Sequence, residues 1–72
     1  MSKEEKDISY FVTFCIEQYK AGKGMDGAKV ASLFYENGVI KYLSDNYNVL
    51  HTQSSQWLVE EIDHYLKTNC AS

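Results

Sequence analysis

The sequence predicts an all-α fold, a compact bundle of three to four short helices in which the first and last helices are the longest. Proline is absent from the 72 residues, so no position is barred from a helix interior on that ground. Apolar side chains recur with the spacing of an amphipathic helix in several segments, and short turns separate these segments. The length indicates a single domain over residues 1–72, with frayed ends at about 1–5 and 69–72.

The first helix is predicted to run from about Glu4 to Lys20. One apolar stripe follows its length: Ile8, Phe11, Val12, Cys15, Ile16 and Tyr19. Gly22 is expected to end it, since glycine takes the left-handed conformation of a helix C-terminus without strain. Tyr10 and Phe14 lie beside the stripe and widen the apolar face beyond what one helix would cover. Either two elements of the chain pack against this face, or part of it meets another chain.

The second helix is predicted over about Gly27 to Asn37, with Asp26 as its N-cap and Gly38 just past its end. Its apolar face contains Val30, Ala31, Phe34 and Tyr35, with Leu33 on the flank. The third helix is short and runs from about Val39 to Asp45. Its apolar residues are Val39, Ile40, Tyr42 and Leu43.

The segment Asn46-Tyr47-Asn48 is expected to end the third helix, since Asn tolerates the left-handed conformation. Val49-Leu50 is then interpreted as a short extended connector that reaches the core. A strand over Tyr47 to His51 is the alternative, although no second β-rich run is present to pair with it.

The last helix is predicted from about Gln53 to Thr68, with Thr52 as its N-cap. Its inner face is Leu58, Ile62, Tyr65 and Leu66, flanked by Trp57 and Val59. Glu60, Glu61 and Asp63 are expected to form a solvated acidic outer face. Asp63 and Lys67 are placed to form an ion pair at i, i+4.

Composition disfavours nucleic acid as a partner. The net charge is −3, seven lysines are outnumbered by ten acids, and arginine is absent, although arginine commonly binds phosphates and guanine edges. The second helix, Gly38 and the third helix resemble a helix-turn-helix, but the third helix offers only Lys41 for phosphates. A DNA-associated small regulator is therefore retained as the alternative function.

No catalytic, cofactor or metal site is predicted. His51 and His64 are not spaced as paired ligands on a helix, and neither a nucleophile elbow nor a phosphate-binding loop is present. Cys15 and Cys70 do not form a Cys-x-x-Cys pair, and we expect a buried thiol and an inert one. The polar N-terminus and the lack of a long apolar run predict a cytoplasmic protein without a membrane span.

Residues around the start of the last helix are candidates for a partner contact. A helix cap requires neither an imidazole nor an amide beside it, so His51 and Gln53 have no role in capping. His51 either bonds a carbonyl of the preceding turn or faces a partner. The candidate contact residues are Tyr47, His51, Gln53 and Trp57 at this turn, and Tyr10 and Phe14 on the first helix.

Three segments carry a resemblance: Phe34-Tyr-Glu-Asn-Gly-Val-Ile-Lys-Tyr-Leu43, Tyr47-Asn-Val-Leu-His-Thr-Gln53 and Val59-Glu-Glu-Ile62. Together they resemble a bacterial family known as domain of unknown function 3791. That family usually carries Gly after the Thr-Gln pair, where this chain has Ser54. The resemblance implies no catalytic residue. It implies a small stand-alone bacterial protein encoded beside a larger protein that resembles ADP-ribosyltransferases.

The predicted function is therefore a small protein–protein interaction module that is not an enzyme. The resemblance adds a regulatory or antitoxin-like role beside a neighbouring protein. The partner is expected to be another protein or a second copy of the chain in a homodimer.

Overall fold

The structure, a computed structural model, describes residues 3–70 of the chain and the side chains of residues 5–68. Five helices follow one another in this part: α1 (Lys3–Lys23), α2 (Gly27–Glu36), α3 (Val39–Asp45), α4 (Tyr47–Leu50) and α5 (Ser55–Cys70). The predicted all-α bundle with long first and last helices is confirmed, and α4 is a single turn that the sequence reading did not count. The fraying expected at the chain ends stays a prediction, and residues 1, 2, 71 and 72 lie outside the described part.

Glycine ends α1, but at a different position from the one predicted. The helix continues through Gly22 to Lys23, and Gly24 is the residue with positive φ, at 63°. The Met25 N–H donates to the Lys20 carbonyl at 3.1 Å, which is the 6→1 hydrogen bond of a Schellman motif. The prediction that Gly22 ends the helix is therefore wrong, because Gly24 takes the left-handed position.

The turns around α2 follow the prediction more closely. Asp26 occupies the N-cap position with extended backbone, although its side chain makes no capping hydrogen bond. Gly38 has φ 73° and separates α2 from α3, as predicted. The Asn37 side-chain amide donates to the Leu33 carbonyl at 2.8 Å, which satisfies a backbone acceptor in the last turn of α2. The bounds of α3 are those predicted.

The connector after α3 is helical. The predicted extended Val49-Leu50 segment is wrong, as is the alternative of a strand, because the N–H groups of Leu50 and His51 donate to carbonyls four residues earlier, each at 2.9 Å. Asn46 does not take the left-handed conformation, since its φ is −112°. Helical geometry buries Leu50, as predicted, but leaves Val49 64% exposed.

The start of α5 is capped by a different residue from the one predicted. α5 begins at Ser55, and the Trp57 N–H donates to the Ser54 Oγ at 3.2 Å. The hydroxyl of Thr52 instead donates to the Val49 carbonyl at 2.9 Å. Thr52 is thus not the N-cap, because the helix begins two residues later than its apolar period suggested.

The core is shared by all five helices. Its buried side chains, among those described, are Phe11, Cys15, Tyr19, Val30, Phe34, Val39, Leu43, Leu50, Leu58, Ile62 and Leu66. These lie on the predicted inner faces, with one correction on α2. Tyr35 is 80% exposed, whereas Leu33 is half-buried against the core. Val30 and Phe34 are fully buried at the centre of the α2 inner face, and Leu33 lies at its edge. Tyr35 lies about 100° further round the helix from Phe34 and therefore faces outward.

Aromatic ring pairs connect α1 and α3 to other helices. Rings meet edge-on between α1 and α2 and between α1 and α4, and they stack between α3 and α5. The pairs are Tyr19–Phe34 (centroids 5.3 Å apart), Phe11–Tyr47 (5.5 Å) and Tyr42–Tyr65 (4.4 Å). Such contacts add about 0.5–1.5 kcal/mol each beyond their buried area, so they help a small core fix helix positions.

Candidate functional site

The structure places the six predicted contact residues on different sides of the molecule. Tyr10 is 67% and Phe14 43% exposed, on the outer side of α1. Tyr47 instead packs against the buried side of α1, through its edge contact with Phe11. Of the remaining three, His51 and Gln53 are exposed in the turn before α5, and Trp57 is 39% exposed in the first turns of α5.

Tyr47 and His51 form a local pair. The His51 Nδ1 lies 2.7 Å from the Tyr47 carbonyl oxygen, and the two rings stack with centroids 4.6 Å apart. Because a carbonyl oxygen can only accept, the ring donates through an Nδ1–H in this contact. Of the two alternatives for His51, the hydrogen bond to a carbonyl of the preceding turn is present. The ring itself is exposed rather than buried, and its contact with a partner stays a prediction.

Tyr10 and Phe14 belong to a longer feature of α1, here called the α1 stripe: Tyr10, Phe14, Gln18 and Ala21. The spacing i, i+4, i+8 and i+11 places these four side chains on one face of the helix. At 1.5 Å per residue the stripe is about 17 Å long. Gln18 is half-buried and the other three are exposed. The stripe lies beside the buried face of α1, so its apolar side chains are not covered by the core of the protein.

The stripe leads into a groove between the end of α1 and the start of α5. The lining residues are Gln18, Ala21 and Gly22 of α1 and Ser55, Gln56, Val59 and Glu60 of α5, and the volume is about 410 Å³. A Cβ at Gly22 would lie 3.5 Å from a Val59 methyl, so small residues allow close approach of the two helices. The size suits a side chain or small ligand. Glu60 is the only charged residue among those that line the groove.

Neither of the two lysines at the end of α1 lines this groove. The Lys23 ammonium lies 2.9 Å from the Asp63 carboxylate. The Lys20 side chain extends towards the start of α2, where a Cβ at Gly27 would lie 3.5 Å from its Cδ. Its ammonium lies 3.8 Å from Glu17 in a largely exposed pair. Both ammonium groups therefore have a carboxylate partner within the protein.

The carboxylate of Asp63 connects α5 to α1 through hydrogen bonds and an ion pair. Its carboxylate accepts hydrogen bonds from the Tyr19 hydroxyl at 3.2 Å and from Lys23, and the predicted pair with Lys67 is present at 3.7 Å. The Lys23 hydrogen bond, supported by Tyr19 and the charges of both lysines, holds the pKa of Asp63 below its usual value. Burial, with Asp63 adding, raises the pKa of Tyr19.

The expectation of a wholly solvated acidic face on α5 is thus wrong for two of its three acids. Besides Asp63, Glu61 faces the protein and accepts a hydrogen bond from the Tyr42 hydroxyl at 2.9 Å. Burial first, and then this hydrogen bond, raises the pKa of Tyr42 to about 12. Helix α5 packs on α1 with one flank and on α3 with the other, which brings both carboxylates into contacts between helices.

Cys15 is the buried thiol that the sequence predicted. Burial raises the pKa of the Cys15 thiol to about 12, so the side chain behaves as a small apolar group. The side chain of Cys70 lies outside the described ones. Among the described residues no three His, Cys, Asp or Glu side chains are grouped as a metal site would require. In the same part of the chain, every helix is too short or too polar to cross a membrane.

Helix α3, the segment that would read DNA in a helix-turn-helix, is largely committed to the core. Val39 and Leu43 are fully buried. Its lysine, Lys41, lies 3.0 Å from the carboxylate of Asp45 in an exposed i, i+4 pair. The one lysine of α3 is thus paired within the helix.

Comparison with known proteins gives one match. The model of a family described as "Protein of unknown function (DUF3791)" matches residues 10–69, which include the α1 stripe, the groove and all of the predicted contact residues. Neither the curated proteins nor the solved structures gave a match.

Proposed function

The chain belongs to the DUF3791 family of proteins of unknown function, and we propose from its surface that it is a small protein–protein interaction module without catalysis of its own. The observation that carries this proposal is the α1 stripe and the groove at its end. Tyr10 and Phe14 expose large aromatic surface one helical turn apart, although the core beneath them is already closed. Aromatic side chains at the surface are enriched where proteins meet.

The partner we propose is another protein, with this chain as its regulatory or antitoxin-like companion in the cytoplasm. An isolated exposed aromatic residue is common and needs no explanation, but here two aromatics lie in line with a groove. Interfaces draw most of their binding energy from a few large side chains that enter pockets of the partner. Phe14 is the best such anchor, because it lies between Tyr10 and the groove.

The experiment is affinity purification of the tagged protein from its own cells, followed by mass spectrometry. Three forms are compared: the native chain, a variant with Tyr10→Ser and Phe14→Ser, and a control with Tyr35→Ser. Tyr35 is a matched control because it is an exposed aromatic residue on α2, away from the stripe. Circular dichroism checks that each variant is folded.

A protein recovered in stoichiometric amount with the native chain and the Tyr35 variant, but lost from the double variant, is the expected result. Recovery of the chain alone, or of the same proteins with all three forms, would overturn the proposal.

A further inference from the structure

We infer that the link between Asn37 and Gly38, in the turn from α2 to α3, is a site of covalent modification by deamidation. The reaction converts the side-chain amide of Asn37 into a carboxylate or an isoaspartate linkage, and local opening at the end of α2 controls its rate. Neither residue belongs to the α1 stripe or lines the groove, so this inference is independent of the proposed function.

The chain contains a single Asn-Gly pair, whereas Asn46, Asn48 and Asn69 are followed by Tyr, Val and Cys. Deamidation begins when the backbone nitrogen of the next residue attacks the side-chain carbonyl carbon of asparagine. A side chain on that next residue hinders the approach, and glycine leaves the nitrogen open because it has no Cβ. The sequence therefore makes Asn37 the most reactive asparagine of the chain.

The reaction needs only water and hydroxide besides the chain itself. The Gly38 backbone nitrogen gives up its proton to hydroxide and forms a bond to Cγ of Asn37. The bond between Cγ and Nδ2 breaks, and Nδ2 takes up a proton from water and leaves as ammonia. The resulting five-membered succinimide is then opened by water at one of its two carbonyl carbons. One opening gives aspartate, and the other gives isoaspartate, in which the backbone continues through the former side chain.

In the folded protein, hydrogen bonds hold both of the groups that react. Nδ2 of Asn37 donates to the Leu33 carbonyl oxygen at 2.8 Å, and the Gly38 N–H donates to the Tyr35 carbonyl oxygen at 3.4 Å. The first bond holds the amide against the last turn of α2, and the second opposes removal of the proton from the attacking nitrogen. Because ring closure requires both bonds to open, the folded structure slows the reaction.

These two hydrogen bonds lie where a helix opens most readily. Helix α2 ends at Glu36, and the terminal turn of a helix opens at a lower free energy than the core does. At 3.4 Å the Gly38 contact is also longer than the usual range of about 2.7–3.2 Å. The reaction therefore proceeds through local opening of this turn and does not require unfolding of the whole bundle.

The products do not restore the original turn. A carboxylate at position 37 has no N–H to donate to the Leu33 carbonyl, and it places a negative charge at the C-terminus of α2, where the helix dipole disfavours it. Isoaspartate adds one atom to the backbone shortly before Val39, which is fully buried in the core. Modification therefore weakens the connection between α2 and α3, and it makes the net charge of −3 more negative by one.

The test follows deamidation of the full chain by peptide mapping and mass spectrometry. The native chain is incubated in mildly alkaline buffer without urea, in urea below the unfolding transition and in urea above it. Cleavage after Lys29 and Lys41 isolates Asn37 in its own peptide, and the gain of mass from amide to acid reports its conversion.

Gly38→Asn is the matched variant. Asparagine tolerates the left-handed conformation of this position, and a Cβ there would lie 3.8 Å from the Tyr65 hydroxyl oxygen, an ordinary contact. The variant therefore keeps the turn but places a side chain on the residue whose nitrogen attacks. Fragment spectra distinguish conversion at Asn37 from conversion at the new asparagine.

Conversion at Asn37 is expected well before conversion at Asn46 or Asn48. Its rate in buffer should be at least about tenfold below the rate in the unfolded chain, since two hydrogen bonds must open first. Urea below the transition should change the rate little, because local opening exposes little surface. Gly38→Asn should suppress the reaction at Asn37 in both states, and the modified chain should melt at a lower temperature than the unmodified one, as should Asn37→Asp.

Four results would overturn the inference. Equal rates in the folded and unfolded chain would show that the turn does not control the reaction. A rate that rises in low urea as steeply as the unfolding equilibrium would assign the reaction to the unfolded chain alone. No conversion in buffer during a period that fully converts the unfolded chain would show that the turn stays closed. A modified chain that melts at the native temperature would contradict the weakened connection between α2 and α3.

Discussion

Replacing either of two glycines near the end of α1 with alanine is predicted to change the free energy of unfolding in opposite directions. Gly24 has φ 63°, and nothing lies within 4 Å of the position of its Cβ. Alanine there meets no atom, but its backbone is held in the left-handed region, which costs about 1–2 kcal/mol for a residue with a Cβ. Alanine also restricts the unfolded chain, which offsets part of that cost by about 0.4–1 kcal/mol. The expected net loss for Gly24→Ala is about 1 kcal/mol.

Gly22 lies in the helix, where alanine is the better residue by about 0.8–1 kcal/mol. Its Cβ would lie 3.5 Å from a Val59 methyl, an ordinary van der Waals contact. Gly22→Ala is therefore expected to raise the free energy of unfolding by about 0.5–1 kcal/mol. The two variants should differ by about 1.5–2 kcal/mol, which is at least about 6 °C in Tm for a domain of this size.

Urea denaturation followed by circular dichroism at 222 nm measures both variants against the native chain. Equal m-values show that the midpoints report stability. Gly24→Asn serves as a control and should lose less than Gly24→Ala, since asparagine tolerates the left-handed conformation. If Gly22→Ala is the less stable variant, then the helix ends at Gly22 and the Schellman assignment at Gly24 is refuted.

Four further predictions concern the contacts of single side chains. Asp63→Asn should lower the free energy of unfolding at pH 7 by about 0.5–1 kcal/mol. Because the pKa of Asp63 in the folded protein lies below its ordinary value of 3.8, the difference between variant and native chain should close as the pH falls below 3.8 and through the folded pKa. Thermal melts in which the difference persists undiminished at pH 2 would contradict this prediction. The free energy of unfolding should decline as pH rises from 10 towards 12, since the pKa of Tyr42 is 10.0 in the unfolded chain and about 12 in the folded protein. Tyr42→Phe should lessen this decline. If native chain and variant lose stability with the same slope against pH, the raised pKa of Tyr42 is contradicted. In a Cys70→Ser background a thiol reagent should modify Cys15 only at the rate of unfolding, so immediate reaction of the native protein would show that the thiol is accessible. Ser54→Ala should cost about 1 kcal/mol in chemical denaturation and Thr52→Ala less than half of that, whereas equal losses would refute the assigned cap.

The fold class could be predicted from the sequence because long amphipathic periods are a strong signal. The bounds of α3 and the role of Gly38 were correct, since one glycine stands alone between two apolar segments. The end of α1 was not, because Gly22, Gly24 and Gly27 follow one another closely and local preference cannot choose among them. In the structure Gly22 stays in the helix, beside Val59 of α5, and Gly24 takes the positive φ.

Short-range ambiguity explains the other corrections. Thr52 and Ser54 are both good caps, and the pattern does not say at which of them a helix starts. α4 has four residues, too few to show a helical period. Tyr35 was predicted on the buried face of α2, but it is exposed and Leu33 is half-buried instead. Aromatic character alone could not show on which face Tyr35 lies.

The sequence predicted only the part of the candidate site that lies on α1. The offset of Tyr10 and Phe14 from the buried stripe identified an apolar face wider than one helix needs. Gln18 and Ala21 continue the same spacing and could have been added from it. The groove could not be predicted, since four of its seven lining residues come from residues 55–60 of α5.

The pairing of α1 with α5 also orders events during synthesis. Lys23 and its partner Asp63 are 40 residues apart. At ribosomal rates of about 5–20 residues per second, Asp63 is added to the chain roughly 2–8 s after Lys23. Through that interval the buried face of α1 has only the middle helices to cover it. The part of the α1 surface that α5 covers therefore stays without that cover until α5 (Ser55–Cys70) has been synthesised.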